Sequence, residues 1–450
     1  MPAKPPPPVP AAAETEPLLS LFADEDDTSS STINPSTDTS DDGTNEKITW
    51  RVAAAAYSFF VVGLFTSTVG VTIPHLQVYY HLSDIHVSAI FLVGPVGYII
   101  ASRLNDLIHA NLGQRGIAVV GPACHLFYAL VAALRPPFAV LLAAAGVAGF
   151  GIGLVDGSWC AWVAALRRAN TLSGLLHGSF SVGAAVCPYL AGLMLSEGSE
   201  LWYQWFFVLA AAAALEFVFL SWAFRRENAD RYNRSKLLQA TAIDEASKGA
   251  ILRYPATWVY AGYLLVYVGA ECTISGWIVA FMLRVRHAST YVSSVCSSAF
   301  WAGMAAGRLV LGALTDRLGV RRAVIVYLFF APLFVVLFIL VRVVWFSVLS
   351  MAMLGFVMGP LFPSCIVQLI GLLPRDLHVA AVSFVASLGQ VGGALLPYML
   401  GAVTQVAGLQ AFQYMLLVQF AIMLVVWVGS FRLSAAKEDE TTEERCGHQD

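Results

Sequence analysis

The sequence predicts an all-α polytopic membrane protein whose twelve transmembrane helices form two parallel-repeat six-helix bundles. Of its 450 residues, 58% are hydrophobic and only 12% are charged, whereas a soluble domain carries about 25% charged residues. Twelve apolar stretches follow one another in two sets of six, and each approaches the roughly 20 residues that cross a bilayer. Residues of the first set recur at a near-constant offset in the second set. These observations define the fold class.

Composition also divides the chain into segments. The N-terminal segment is rich in Pro, Ala, Ser, Thr and acidic residues, a composition that buries too little apolar surface to offset the entropy lost on ordering. The predicted organisation is a disordered cytosolic tail (1–48), an N-terminal six-helix bundle (49–224), a cytosolic linker (225–255), a C-terminal six-helix bundle (256–432) and a disordered cytosolic tail (433–450). The linker is too short for a folded domain of its own.

The positions of basic residues predict the orientation. Fifteen Arg and Lys residues fall in loops on the side of the N-terminus, and four fall on the opposite side. Because basic residues accumulate in cytosolic loops, both termini are predicted to be cytosolic. Glu14–Leu19 resembles an acidic dileucine signal for endosomal or vacuolar membranes. Such short motifs recur by chance, so the plasma membrane is the preferred prediction.

The two halves share residues at matching positions. The offset is 206 residues for the first and fourth spans of each half, and 209 residues for the fifth. The matched pairs are Tyr57 and Tyr263, Gly63 and Gly269, Gly70 and Gly276, Gly149 and Gly355, Gly153 and Gly359, Pro188 and Pro397, and Gly192 and Gly401. A parallel duplication of six helices predicts two bundles with a central site between them.

The fourth span, 138–166, places a carboxyl group within an apolar helix. An Asp near the middle of a membrane costs about 2.5–3.5 kcal/mol on insertion scales, so Asp156 is expected to face a partner or a wet cavity. Trp159 and Trp162 follow within two turns and offer stacking surfaces. We interpret this span as a ligand- or proton-binding helix. The alternative is a protonated Asp156 bonded to a neighbouring helix, with both tryptophans as packing.

Glycines and prolines mark the predicted helix contacts. Gly149, Gly153 and Gly157 recur every four residues, which leaves one helix face bare and lets another helix approach closely. Pro188 and Pro397 stand at matching positions of the two halves. We predict a packing role for all five residues.

A charged motif stands between the eighth and ninth spans. It runs from Gly307 to Arg322 and contains Arg308, Asp316, Arg317, Gly319 and Arg321. In its second half, Gly319 permits a tight turn. Asp316 is expected to accept hydrogen bonds from the start of a neighbouring helix, and the arginines are expected to pair with acids. The motif resembles the cytosolic signature loop of the major facilitator superfamily. That resemblance implies a latch that holds the cytosolic gate in one transport state.

A stretched counterpart in the first half runs from Arg103 to Arg115, and the latch is expected to include Asp106 and Arg115. This form is similar to a fungal branch of the superfamily that is related to fucose permeases and often labelled bypass-of-stop-codon-like. Further matches are Pro122-x-Cys124-His125, Gly149-Phe-Gly-x-Gly-x-x-Asp156, Leu176-His177 and Gly276-Trp277. Members of the branch commonly have an Asn-Asp pair in helix 1, where this chain has Gly63–Thr68. A helix-1 carboxylate is therefore missing.

The resemblance implies that helices 1, 4, 7 and 10 line a central cavity. Glu271 stands in the seventh span, so Asp156 and Glu271 are expected to face each other across that cavity and to bind substrate or protons. The alternative for Glu271 is a bond to a neighbouring helix that fixes packing. Glu216, in the sixth span, is interpreted as structural.

Four further side chains are candidate contacts for substrate or protons. They are the aromatic residue Trp277, the proton relay candidate His177, and the amides Gln368 and Gln390. For Trp277 core packing is an equal alternative, and a hydrogen-bonded structural role is an equal alternative for His177.

The predicted cavity is acidic and aromatic, because no Lys or Arg lies mid-span in the helices expected to line it. Phosphate esters and multivalent anions would need fixed positive charge there. We therefore predict a secondary active transporter, with proton coupling favoured, that moves a small neutral polyol, a sugar-like solute or a cationic organic solute by alternating access. Efflux of a secondary metabolite or drug, and a non-transporting nutrient sensor, are the alternatives.

Other classes of function lack support in the sequence. No basic stripe alternates with stacking aromatics, so no nucleic-acid partner is predicted. The seven cysteines have no CxxC spacing and predict no metal site. Neither an enzyme activity nor a cofactor is predicted. The expected partners are a small-molecule substrate, the lipid bilayer and protons, and the protein is expected to be a monomer.

Overall fold

The structure is a computed structural model that describes residues 42–166, 169–196, 201–233, 251–374 and 377–433. The chain divides into two units, Met1–Arg51 and Val52–Asp450, and the second contains nearly all of the described residues. Most of the predicted linker and of both predicted tails lies outside the described residues. The disorder of the tails therefore stays a prediction.

The described part of the chain is built of helices. The helices are α1 Asp42–Tyr80, α2 Asp84–Ser88, α3 Ile90–Ala133, α4 Phe138–Ala164, α5 Ala169–Leu195, α6 Gln204–Ala223, α7 Pro255–Arg284, α8 Thr290–Leu318, α9 Val320–Leu340, α10 Val344–Met358, α11 Leu361–Ile370, α12 His378–Ala407 and α13 Ala411–Gly429. Short 3₁₀ turns cover Ile251–Arg253 and Ser430–Arg432. The all-α prediction is confirmed.

Eleven candidate membrane spans are found among the described residues, judged by length and composition. The longest covers Asp84–Ala133 and contains the two predicted spans 86–104 and 117–134. Gly113 separates them, because its φ of +70° lies in the left-handed region and interrupts the helix. The predicted tenth span is divided between α10 and α11. The twelve predicted spans thus map onto these eleven.

Turns at matching positions of the two halves have the same backbone conformation. Gly113 and Gly319, 206 residues apart, have φ angles of +70° and +79°. His81 and His287, separated by the same number of residues, have φ angles of +53° and +54°. We call the end of the molecule with the two glycine turns the signature end, and the end with the two histidine turns the far end. These repeated left-handed turns lie outside the matched residues that first indicated the duplication.

The bare face predicted on α4 packs against α3. A Cβ added to Gly149 would lie 2.1 Å from the carbonyl oxygen of Gly94, a distance that no side chain can adopt. A Cβ on Gly153 would lie 3.0 Å from the backbone of Tyr98. Gly157 is exposed, and its nearest neighbour would be the Asn105 amide at 3.3 Å. The tight packing predicted for all three glycines therefore holds for Gly149 and Gly153 and ends at Gly157.

The two halves approach each other closely at the far end. There α2 packs against α12 and α5 packs against α8, and α3 also contacts α12. A Cβ on Gly401 would lie 2.5 Å from the Cβ of Ser88, and one on Gly192 would lie 2.4 Å from the Cβ of Ser294. Gly192 and Gly401 are a repeat-related pair, so matching glycines provide the close approach on both sides of the interface.

A buried polar cluster joins three helices of the first half. His125 of α3 and Glu216 of α6 are hydrogen-bonded, with Nδ1 and Oε2 2.9 Å apart, and both side chains are fully buried. Ser58 of α1 donates a hydrogen bond to the other carboxylate oxygen at 2.6 Å. Neither His125 nor Glu216 lines the central pocket between the two halves. This arrangement supports the structural interpretation of Glu216.

Glu216→Ala is expected to destabilise the protein strongly, because it leaves His125 buried without its partner. Breaking a buried pair in this way costs about 3–5 kcal/mol, whereas Ser58→Ala removes one hydrogen bond worth about 1 kcal/mol. Thermal unfolding of the detergent-purified variants, followed by tryptophan fluorescence, measures both. The double variant Glu216→Leu with His125→Leu should recover most of the loss. Equal melting temperatures for Glu216→Ala and Ser58→Ala would contradict this account.

Candidate functional site

A pocket of about 190 Å³ lies between the two halves. The first half contributes α1, α3 and α4, and the second half contributes α7, α8 and α12. Its side chains are mainly aromatic and aliphatic, and the polar ones are hydroxyl, thiol and amide groups. The wall includes Phe65, Thr66, Tyr98, Tyr128, Cys272, Ser275, Trp301 and Gln390. No charged side chain lines this pocket within the described ranges.

Asp156 lies beside the pocket rather than in its wall. The hydroxyl of Tyr98, whose residue does line the pocket, donates a hydrogen bond to Asp156 Oδ2 at 2.6 Å. The Cys160 thiol contacts Asp156 Oδ1 at 3.8 Å and His177 Nε2 at 3.9 Å. Both Asp156 and His177 are partly exposed. The carboxyl group therefore has a phenol, a thiol and an imidazole around it.

Arg308 lies deeper in the molecule than its place in the signature motif predicts. Its Nη1 donates a hydrogen bond to the Ser181 hydroxyl of the other half at 2.6 Å. Its guanidinium also interacts with Glu271 and with the Tyr267 hydroxyl. In this conformation Arg308 therefore contacts the centre of the molecule, and its role in the gate stays a prediction. The long Arg308 side chain reaches inward from α8 and so places a positive charge near the centre, although the helices expected to line the cavity carry none mid-span.

His177 and Arg308 connect the two acids. His177 of α5 is close enough to interact electrostatically with Asp156 on one side and with Arg308 on the other, and Arg308 interacts with Glu271. Asp156 and Glu271 are thus linked through a histidine and an arginine rather than placed face to face across the pocket. We call Asp156, Cys160, His177, Arg308 and Glu271 the charged layer.

The charged layer lies on the signature side of the pocket. Helix α4 runs from the far end to the signature end, and it lines the pocket with residues between Ala145 and Ile152, whereas Asp156 follows one turn later. On α8, Trp301 lines the pocket and Arg308 follows two turns later. A solute that moves between the pocket and the signature end therefore passes the charged layer. Such a layer can hold or release a proton next to an uncharged binding pocket.

Three tryptophans predicted to contact substrate lie elsewhere. Trp159 is buried and stacks on Phe224, with ring centroids 4.3 Å apart, and Trp162 meets the same ring edge-on. Trp277 is also buried, and its indole N–H donates to the carbonyl oxygen of Pro397 at 3.0 Å. None of the three lines the pocket. In this conformation all three rings therefore pack within the protein, outside the pocket wall.

The pocket wall contains a different tryptophan, Trp301, and one of the two predicted glutamines, Gln390. The Trp301 indole N–H donates to the Ser275 hydroxyl at 3.1 Å, so its ring is held in place. Gln390 is partly exposed in the pocket wall and forms no hydrogen bond with another described residue. Gln368 accepts a hydrogen bond from Arg321 Nε at 3.1 Å and does not line the pocket. Gln368 therefore lies outside the pocket in this conformation, and its role as a substrate contact stays a prediction.

Among the described residues, the charged groups of the predicted latch form no ion pairs with one another. Asp316 and Arg317 are exposed at the signature end, and neither forms a hydrogen bond or an ion pair with another described residue. Arg321 is exposed too, although its Nε donates to Gln368. The latch stays a prediction for a conformation that is closed at the signature end.

The first-half motif contacts the segment that follows α6. The backbone N–H of Arg115 donates to the carbonyl oxygen of Glu227 at 3.0 Å. The rings of His109 and Tyr232 lie 4.8 Å apart, and Asp106 interacts electrostatically with Tyr232. Asp106 and the Arg115 side chain are exposed. In this conformation the motif therefore supports the beginning of the linker.

An ion pair closes the far end. Arg284, at the end of α7, donates from Nη1 and Nη2 to the two Asp84 carboxylate oxygens of α2 at 2.9 and 3.1 Å. Gln77 donates to the same carboxylate at 2.6 Å, and Thr404 of α12 also bonds to it. Sequence reasoning missed this site, since Asp84 and Arg284 are isolated charges in two different loops. The structure therefore represents a conformation that is closed at the far end.

Two bundles with a central pocket and charged groups next to it define a secondary membrane transporter. The model of the Major Facilitator Superfamily matches residues 55–297 and 260–447. The chain belongs to that superfamily, which confirms the resemblance of its signature motifs. The superfamily consists of transporters and not of enzymes.

Individual relatives and structures agree with this assignment. The chain is 28% identical to bypass of stop codon protein 6 of Saccharomyces cerevisiae over 84% of its own length and 81% of that protein. It is 22% identical to a glucose/galactose transporter of Brucella abortus over 78% and 87% of the two chains. The crystal structure of a D-xylose–proton symporter matches with a TM-score of 0.70 and 12% identity, over 86% of this chain and 98% of the other. The last likeness concerns the fold alone.

Proposed function

We propose that the protein transports a small neutral polyol or sugar-like solute together with protons, by alternating access. The observation that carries the proposal is the separation of two layers. An uncharged pocket with aromatic, hydroxyl and amide groups lies next to a layer that contains two carboxyl groups, a histidine and an arginine. The first suits a neutral hydroxylated solute, and the second suits a proton.

The pocket supports a neutral solute over a cationic one. The carboxyl groups of Asp156 and Glu271 lie outside its wall, and Arg308 already interacts with Glu271. A cation held by aromatic rings alone would gain little, because such contacts are worth about 0.5–2 kcal/mol. The rings of Phe65 and Trp301 can instead cover the apolar face of a sugar, and Gln390 offers both a donor and an acceptor. A glucose/galactose transporter among the relatives adds support.

Proton coupling is supported by the groups around the two acids. Acids that lie within membrane-spanning helices and have polar partners near a transport pathway are the usual proton sites of membrane transporters. Tyr98, Cys160 and His177 surround Asp156. The carboxyl group can therefore exchange a proton with several neighbouring groups. The absence of a helix-1 carboxylate leaves the coupling to Asp156 in the first half and Glu271 in the second.

The proposal is tested with purified protein and a panel of unlabelled solutes. Thermal shift is measured with D-glucose, D-xylose, D-mannitol, choline and citrate. A stabilising shift with a sugar or polyol, and uptake of that solute into proteoliposomes that is driven by an acid exterior, are expected. A shift with choline or citrate and none with the neutral solutes would overturn the proposed substrate class. Uptake of a neutral solute at a rate that does not depend on the proton gradient would overturn the proposed proton coupling.

Gln390→Leu is expected to weaken binding of the best solute in that panel by about tenfold, the effect of losing roughly 1.4 kcal/mol of hydrogen bonding. The matched control is Gln368→Leu, the same change at the glutamine outside the pocket, which should leave affinity unchanged. Isothermal titration calorimetry measures both variants. Equal losses in the two variants, or none in Gln390→Leu, would contradict the placement of the binding site.

A further inference from the structure

Tyr98 belongs to both layers of the site. The residue lines the pocket, as Thr66 and Tyr128 also do. Its hydroxyl donates a hydrogen bond to Asp156 Oδ2 at 2.6 Å. Tyr98 thus lines the pocket and is also hydrogen-bonded to an acid of the charged layer. Neither the sequence motifs nor the family assignment gives this tyrosine a role.

A phenol that stands between a carboxyl group and a pocket can be bonded in two directions. A tyrosine hydroxyl has one proton to donate and lone pairs that accept. While Asp156 is ionised it can only accept, so Tyr98 must donate to it, and a solute in the pocket meets an acceptor oxygen. When Asp156 is protonated its own O–H can donate to Tyr98, and Tyr98 can then donate to the solute. The charge state of the acid sets the polarity that the pocket presents.

The geometry favours this chain over the alternatives around Asp156. The other groups near the carboxyl are Cys160 on the same helix, at 3.8 Å, and His177 from α5. Neither lines the pocket, and Arg308 from α8 acts on His177 rather than on the pocket wall. The bond from Tyr98 is the shortest of these contacts, and hydrogen bonds to an ionised carboxylate are stronger than neutral ones.

We propose that Tyr98 couples the pocket to the proton site: it accepts a hydrogen bond from the solute when Asp156 is ionised and donates one when Asp156 is protonated. This inference rests on the proposed function, since it assumes that Asp156 exchanges protons during transport. The proposal predicts that the charge state of Asp156 affects two kinds of solute group differently. A solute group that only accepts hydrogen bonds, such as an O-methyl ether, binds well only while Asp156 is protonated, whereas a free hydroxyl binds in both states.

The first test needs no solute. Infrared difference spectra of the purified full-length protein are recorded between mildly acidic and mildly alkaline buffer. A carboxyl C=O band and a tyrosine C–O band are expected to change together. Tyr98→Phe and Asp156→Asn should each remove the tyrosine band, whereas the matched control Tyr128→Phe, another tyrosine of the pocket wall, should keep both. A tyrosine band that persists in Tyr98→Phe, or none in the wild-type protein, overturns the inference.

The second test uses D-glucose and 3-O-methyl-D-glucose as probes in binding measurements at the same two pH values. The wild-type protein and Tyr128→Phe should lose affinity for the methylated sugar more steeply than for D-glucose as the pH rises. Tyr98→Phe should treat the two sugars alike at both pH values. The same pH dependence in Tyr98→Phe and wild-type protein overturns the inference. If neither sugar nor any other neutral solute binds the wild-type protein, the proposed function fails, and the infrared test still decides the role of Tyr98.

Discussion

Asp156→Asn and Glu271→Gln are each expected to abolish uptake against a concentration gradient and to leave membrane insertion intact. Each change removes one exchangeable proton site and keeps the size of the side chain. Without that site a proton gradient cannot drive accumulation. Exchange of solute across the membrane without a gradient should survive in Asp156→Asn, because the pocket wall itself is unchanged. Proteoliposomes loaded with the solute from the binding panel measure both activities.

Glu271→Gln is expected to have a second effect that Asp156→Asn lacks. Arg308 interacts with Glu271 and donates to Ser181 of the other half. Without the carboxylate, its charge is left unbalanced within the membrane, and an unbalanced buried charge is costly. Exchange should therefore be impaired in Glu271→Gln and partly recovered by adding Arg308→Gln.

The matched control for both acids is Glu216→Gln. Glu216 is a carboxyl residue of the first half that is fully buried with His125, but it lies outside the pocket wall. Its variant should keep gradient-driven uptake whenever it inserts and folds. Wild-type accumulation in Asp156→Asn and in Glu271→Gln would show that these acids only fix packing.

The sequence was sufficient for the fold because the relevant signals are local or periodic. A span of apolar residues is recognised without knowledge of its neighbours, and the tight turn at Gly319 was predicted because glycine adopts a positive φ readily. The two acids also stood out, since a charge within an apolar span is rare.

The wall of the pocket could not be predicted, because it depends on how each helix is rotated against its neighbours. Trp277 and Trp301 both lie in apolar spans, yet one is bonded to the Pro397 carbonyl and the other lines the pocket. Gln368 and Gln390 differ in the same way. The inward direction of the Arg308 side chain could not be predicted for another reason, because the position of a residue in the sequence does not determine where a long side chain extends. Asp84 and Arg284 meet only after both halves are assembled.

Reversing the charge of Arg284 is expected to open the far end. Arg284→Glu replaces a bidentate ion pair by two carboxylates that repel each other. Loss of hydrogen bonds to a charged group is worth about 1.5–3 kcal/mol, which would lower the ratio of closed to open molecules at the far end by roughly tenfold or more. Cys272 lines the pocket, so its rate of alkylation by a membrane-impermeant maleimide reports access from either side of oriented vesicles. Labelling from the far end should rise, and labelling from the signature end should fall.

The charge swap distinguishes the ion pair from a general loss of structure. Asp84→Arg combined with Arg284→Asp rebuilds the pair with the charges exchanged, so it should restore the wild-type labelling of Cys272 from both sides. Gln77 and Thr404, which bond to the present carboxylate, would then face a guanidinium, so the recovery is expected to be incomplete. Mass spectrometry quantifies labelling of the peptide that contains Cys272, so the other cysteines do not have to be replaced. Unchanged labelling in Arg284→Glu would mean that the glycine contacts, such as Gly401 against Ser88, hold the far end closed without the ion pair.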